Sequence, residues 1–341
     1  MSANVTPPAD TARRVVVVCP GRGSYTADQM GTLPKDHPWV AEAEALRREL
    51  DLPSLLELDG AERFSGAQHL RPANVSPLIY LISMLDAARA AASGRVVAVA
   101  GNSMGWYTAL AVTGALSFSD GLRLVQHMSL LQEEVKGGGQ LLYPVVDDAW
   151  RLDPERVATV EAALAASNGH ASASIDLGGY RVLAGDDEGM RLLKQSLPVI
   201  DVGRARYPLV LMQHGPYHTR FVESVSRRAH EVLADLSFGR PNATLIDGFG
   251  RRHAPATADV DELRAYTFGA QVTRPYDLAA SLRVALREFA PDRLVLPGPG
   301  NTLGGIVGQA LVREGWKGVH DREAFTALQA GDGAVVESMR R

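Results

Sequence analysis

The stretch Gly101-Asn102-Ser103-Met104-Gly105 follows the apolar run Arg95 to Ala100 and precedes the helical run Trp106 to Thr113. No other feature narrows the possible folds as much. Gly-x-Ser-x-Gly between a buried strand and a helix describes a nucleophile elbow. The turn is tight, so the flanking positions must be small. The serine hydroxyl then projects from the sheet edge at a helix N-terminus, where free N–H groups and the helix dipole can stabilise an oxyanion. A strand that feeds a helix in this way belongs to a parallel or mainly parallel sheet.

The rest of the chain carries the same texture. Arg14 to Cys19 is a short continuous apolar run ended by Pro20-Gly21, which suits a strand buried on both faces. Residues 38–50 and 75–92 read as helices. Ser117 and Asp120 are spaced as a capping box and open another helix. That helix carries Leu122, Val125 and Met128 on one face and stops near Gly137-Gly138-Gly139.

Beyond the glycines, Leu141 to Val146, Ser172 to Ile175 and Tyr180 to Leu183 alternate with helical runs at 153–166 and 187–196, as in a small α+β unit. The α/β texture then returns. A helix is expected over Phe221 to Leu236, a strand at Ala243 to Ile246, a helix over 276–289 and a strand at Arg293 to Leu296. Leu303, Ile306 and Val307 mark one side of a further helix. The expected division is a loose tail over 1–12, an α/β core from 13–137 and 208–315, an inserted unit over 138–207 and an extension over 316–341. The fold class is α/β, a hydrolase-like core with a mainly parallel sheet.

Composition excludes several function classes. The chain has 341 residues, 46% hydrophobic and 22% charged, enough to bury a sizeable core. Its 35 basic and 39 acidic residues give a net charge of −4 with no basic block, so nucleic acid is not an expected partner. The one cysteine, Cys19, cannot form an internal disulfide or a zinc cluster. Met1 to Ala12 lacks an apolar signal core, and no apolar run approaches the roughly 20 residues of a membrane helix. A cytoplasmic location without membrane contact is expected.

A serine nucleophile needs a base. Nine histidines are available, and composition does not choose among them. His214-Gly215-Pro216-Tyr217-His218-Thr219 lies between apparent strand and helix, at a rim where catalytic groups tend to sit.

Six stretches, in order, resemble the malonyl-CoA:acyl-carrier-protein transacylase family, which includes the acyltransferase domains of fatty-acid and polyketide synthases. They are Pro20-Gly21-Arg22-Gly23-Ser24, Gly101 to Leu110, Ala115 to Val125, Gly215 to Thr219, Gln271 to Pro275 and Val295 to Leu303. The resemblance spans most of residues 14–312. It implies that Ser103 is the nucleophile, that His218 is its base and that the backbone carbonyl of Gln271 orients the histidine. It implies an oxyanion hole from the backbone N–H groups of Arg22 and Met104. It implies that the inserted unit is ferredoxin-like. It also implies ping-pong transfer from acyl-CoA to an acyl carrier protein through an acyl-serine, with no metal or redox cofactor.

The sequence departs from the family at the position where malonyl-selective members carry an arginine for the substrate carboxylate. Counted from Ser103 without gaps, that position is Met128. Either the acyl group has no carboxylate or another cation takes over, with Arg22 the first candidate and His127 and Arg123 nearby in sequence. Asn102 and Trp106 replace the usual histidine and acidic residue of the elbow. Asn102 either donates into the acyl pocket or braces the turn, while Trp106 packs against the sheet. Met128, Asn102 and Arg22 are therefore the expected acyl-pocket residues. A hydrolase that clears acyl groups from carrier proteins, and a non-catalytic docking protein on the same fold, are the alternatives.

Overall fold

The computed structural model describes residues 12–90, 94–203 and 205–339. The expected tail over 1–12 lies outside them except for Ala12. Six strands form the main sheet, in the spatial order Arg252–His253, Thr244–Ile246, Arg95–Gly101, Arg14–Cys19, Arg293–Leu296 and Val336–Ser338. All neighbours are parallel except the first pair. Val15 to Cys19 are fully buried, as a strand covered by helices on both faces must be. Each such side chain stabilises the fold by roughly 1.5–3 kcal/mol. The helix Pro72–Ala90 is buried almost all round and packs on one face of the sheet. Leu278–Phe289 and Thr302–Glu314 cover the other.

Register sets the position of the site. Cys19 pairs with Gly101, so the two central strands end level. The Pro20-Gly21-Arg22 turn therefore leaves the sheet beside Asn102-Ser103. The approach is close: a Cβ at Gly21 would lie 2.6 Å from the Asn102 carbonyl oxygen.

A second sheet holds Tyr276–Asp277, Ala171–Asp176, Tyr180–Gly185, Gly139–Pro144 and Leu209–Val210, in that order. From 139 to 210 its own strands and the helices between them run strand, helix, strand, strand, helix, strand, which is the ferredoxin-like pattern, while the hairpin Ile200–Val202 and Ala205–Tyr207 forms a separate two-stranded sheet before the last strand. The sheet extends beyond the 138–207 window at two edges. Leu209–Val210 follows it, and Tyr276–Asp277 arrives from far downstream to pair with Ile175 and Asp176. The helix expected over 276–289 accordingly starts at Leu278, capped by the Asp277 carboxylate accepting from the Ala280 amide.

Of the expected extension over 316–341, the described residues 316–339 are built onto the core. Val336–Ser338 adds a strand beside Arg293–Leu296, and the helix Arg322–Ala330 packs on Thr302–Glu314. Among the described residues, no helix is long and apolar enough to cross a membrane.

Candidate active site

Ser103 sits between the strand Arg95–Gly101 and the helix Gly105–Val112, with φ +54°. That conformation costs a non-glycine residue of order 1–3 kcal/mol. Surrounding contacts hold it. The Asn102 amide donates to the Cys19 carbonyl at 2.9 Å, and the Gly105 amide to the Asn102 carbonyl at 2.8 Å. The Tyr276 hydroxyl donates to the Gly101 carbonyl at 2.5 Å. Both glycines are sterically required, because a Cβ on Gly101 would overlap Gly105 and one on Gly105 would overlap the Cys19 carbonyl.

His218 comes from the loop after the strand Leu209–Val210 and also has positive φ, +58°. Its Nε2 lies 2.7 Å from Ser103 Oγ. Its Nδ1 lies 2.7 Å from the Gln271 carbonyl oxygen. A carbonyl can only accept, so Nδ1 carries the proton and Nε2 presents a lone pair to the serine hydroxyl. The inserted unit fixes the loop, since Ser174 Oγ donates to the Tyr217 carbonyl at 2.8 Å and Gln140 Nε2 at 3.3 Å.

The Gln271 side chain completes the frame. Its Nε2 donates to the Ser103 carbonyl at 3.0 Å, and its Oε1 accepts from the Tyr107 hydroxyl at 2.9 Å. The resemblance assigned a role only to the Gln271 backbone. The side-chain ties, and the Tyr276 ring 5.5 Å from the His218 ring, had no signal in the sequence beyond Gln271 lying in a matched stretch.

Burial pushes the His218 imidazole down to about 4, with the Arg22 cation adding to the effect and the Gln271 carbonyl opposing it. The ring is therefore neutral at pH 7, the form that accepts a proton. Replacing Arg22 by Gln removes a cation that disfavours imidazolium, so the histidine pKa rises. The acidic limb of the rate of Ser103 modification by a serine-directed phosphonate should move to higher pH in Arg22→Gln. A limb that stays in place or moves to lower pH would show that Arg22 does not act on this histidine.

Two spaces reach Ser103. A small one of about 20 Å³ is lined by Arg22, Ser103, Met104, Gln132 and His218 among others. A cleft of about 570 Å³ opens at Arg22, Asn102 and Ser103 and runs between the second sheet and the helix Thr302–Glu314. The Arg22 guanidinium lies over the Tyr217 ring, 4.6 Å from its centre, and no carboxylate among the described residues is within 4.0 Å. Arg22 and Met104 border the small space, and neither backbone amide donates to another backbone or side-chain acceptor among the described residues. Asn102 lines the cleft, and its Oδ1 is buried without a partner.

Met128 does not line either space, which corrects its expected place in an acyl pocket. It is 1% exposed inside the main apolar core, and Gln132, one helical turn on, borders the small space instead. Arg123 turns to the surface and pairs with Asp235 at 2.8 Å. His127 lies beside that pair. Trp106 is fully buried and donates to Thr267 Oγ1 at 3.0 Å. Cys19 is buried, which raises its thiol pKa and leaves it inert.

No family model matches the chain. It is 22% identical to the malonyl CoA-acyl carrier protein transacylase of Haemophilus influenzae, over 93% of this chain and 98% of that protein. It is 30% identical to the polyketide biosynthesis protein ThaF of Burkholderia thailandensis over 67% of this chain, and that match spans only 18% of ThaF. Among solved structures, a type II polyketide synthase acyl carrier protein in complex with its malonyl-transacylase contains a similar chain. The TM-score is 0.71 at 17% identity, with 96% of each chain covered.

Proposed function

Because this chain belongs to the malonyl-CoA:acyl-carrier-protein transacylase family, we propose that it moves an acyl group from acyl-CoA to the phosphopantetheine thiol of an acyl carrier protein, carrying it in between as an ester of Ser103. One observation supports this reading above the others. Ser103 Oγ and His218 Nε2 are 2.7 Å apart, and the other imidazole nitrogen is committed to the Gln271 carbonyl.

In the proposed reaction, Ser103 Oγ attacks the thioester carbonyl carbon while His218 Nε2 takes the hydroxyl proton. The oxyanion rests on the Arg22 and Met104 amides, which have no other acceptor. Collapse breaks the carbon–sulfur bond, and the imidazolium returns the proton to the departing CoA thiolate. The carrier thiol then attacks the ester, with His218 taking its proton and handing it to Ser103 as the serine leaves. Thioester and ester exchange at similar free energy, and no redox step or metal takes part.

The acyl group is the finer part of the proposal. Met128 offers no charge to a carboxylate. Arg22 borders the space at the pair and has no acidic partner among the described residues, so it is the cation offered to a malonyl-type group. The test is intact-protein mass spectrometry after exposure to malonyl-, acetyl- and longer acyl-CoAs, followed by holo carrier protein. Malonylation of Ser103 should exceed acetylation, and the ratio should fall several-fold in Arg22→Gln. An unchanged ratio overturns the role of Arg22. Loss of the acyl-enzyme to water at the same rate with and without carrier protein makes the enzyme a hydrolase.

A further inference from the structure

The peptide group between Gly101 and Asn102 lies one residue ahead of the nucleophile, and its two ends are held by different parts of the chain. Its N–H donates to the Cys19 carbonyl at 2.9 Å, on the side of the strand Arg14–Cys19. The N–H and C=O of a trans peptide point opposite ways, so the Gly101 carbonyl faces the other neighbour, Thr244–Ile246. That strand stops short of it. The pairing runs from Ala98 with Thr244 to Ala100 with Ile246, and the next amide, that of Asp247, donates to the Arg251 carbonyl instead. Gly101 is buried, and a buried carbonyl left unmatched is costly. The Tyr276 hydroxyl takes the place of the missing ladder bond, at 2.5 Å.

The other part of the same side chain meets the base. The Tyr276 ring centre is 5.5 Å from that of His218, with the planes inclined at 58°. One residue thus touches both the strand end from which Ser103 turns and the imidazole that serves it. Its own place is set from a third direction. Its backbone pairs with Ile175 in the second sheet. The amide of Asp277 donates to the Gly248 carbonyl at 2.7 Å, and the ring packs so closely on Gly248 that a Cβ there would lie 2.4 Å from it. Tyr276 is 2% exposed, so water does not compete for the Gly101 carbonyl. Burial, with Tyr266 and Asp247 nearby, pushes its phenol well above the usual value, and the hydroxyl stays a donor over the working pH range.

We propose that Tyr276 is a positioning residue for the transfer, whose hydroxyl fixes the strand end that carries Ser103 while its ring holds the His218 imidazole and shields it from water. Gln271, in the same short segment, holds the Ser103 carbonyl through its side chain and the His218 ring through its backbone. Tyr276 differs from it in having two contacts that substitution can remove separately. Because its backbone belongs to the second sheet, it also links the inserted unit to the nucleophile. This inference rests on the reading of Ser103 and His218 as nucleophile and base.

Tyr276→Phe removes the hydroxyl and keeps the ring, so it is compatible with folding. Tyr276→Leu removes both and keeps an apolar side chain in place. Labelling of Ser103 by a serine-directed phosphonate should be followed against pH for each, below its own melting temperature, beside steady-state transfer from acyl-CoA. Tyr276→Phe should lower the plateau labelling rate and kcat about tenfold, the scale of one lost hydrogen bond to a buried group. It should leave KM within about twofold and the acidic limb in place, since the ring still covers the imidazole. Tyr276→Leu should lower the plateau similarly and move the acidic limb to higher pH. A better-solvated imidazole takes a proton more readily, so its pKa climbs from about 4 towards the ordinary value.

A Tyr276→Phe enzyme that labels at the wild-type rate, whatever its melting temperature, would make the hydroxyl a tie of the fold alone and overturn the proposal. So would a rise in KM with kcat unchanged. A limb that stays in place in Tyr276→Leu would overturn the part given to the ring. The reading of the pair fails separately: in that case the phosphonate leaves wild-type Ser103 unlabelled, or labels it as fast in His218→Ala.

Discussion

Ser103→Ala is expected to abolish uptake of acyl groups from acyl-CoA and to lower transfer by about 10⁴-fold or more. The hydroxyl supplies both the bond that holds the acyl group and the proton that His218 accepts at 2.7 Å. Alanine supplies neither. The imidazole keeps its bond to the Gln271 carbonyl, and the backbone at φ +54° is no harder for alanine than for serine. The melting temperature should therefore stay within a few degrees of wild type, roughly the change from 1 kcal/mol. Intact mass after incubation with acyl-CoA reads the first effect and thermal unfolding the second. A mass gain in Ser103→Ala equal to that of wild type would move the nucleophile elsewhere and end the proposed mechanism.

Gly105→Ala should act on the fold itself. The added methyl would overlap the Cys19 carbonyl oxygen and would stand 2.9 Å from the Pro20 carbonyl oxygen. These are backbone atoms at the end of a fully buried strand, so no flexible side chain can yield. Overpacking typically costs about 1–3 kcal/mol, and a rigid neighbour puts this site at the upper end or beyond. A fall in melting temperature of roughly 4 °C or more is expected. Activity should be lost as well, because the same strand ends carry the Arg22 amide and Ser103. A variant that melts within about 1 °C of wild type, at roughly 1.4 °C per kcal/mol for a chain of this size, would mean that the elbow is not pressed against that strand.

The two predictions draw on different kinds of legibility. The elbow was readable because its determinants are local. Gly101 and Gly105 must be small wherever a strand turns so sharply into a helix, and the runs on either side announce that strand and that helix. A small α+β unit was readable from its alternating texture, and its ferredoxin-like form was implied by the resemblance, but its edges were not readable. Tyr276–Asp277 pairs with a strand some hundred residues earlier, and its two-residue length has no period to detect. The Val336–Ser338 strand and the Arg322 helix were missed for the same reason, being short and lying past the matched motifs.

Met128 shows the limit of counting along a helix. A gapless count places it level with the family's arginine. One turn of helix separates a buried core position from one that borders the site, and packing gave the border to Gln132.

From sequence alone came the strand–serine–helix turn, the mainly parallel α/β class and, by resemblance, the pairing of Ser103 with His218. Tertiary structure alone placed those two side chains 2.7 Å apart across 115 residues of chain. It also turned the Gln271 side chain into a brace for the elbow, left Arg22 without a counter-ion among the described residues, and brought the Tyr276 hydroxyl to the Gly101 carbonyl. The physical reason is one of range. Backbone strain and hydrophobic period act over a few residues and are written in the order of the chain. Contacts between distant segments depend on sheet register and on how the inserted unit packs, and neither has a local signature.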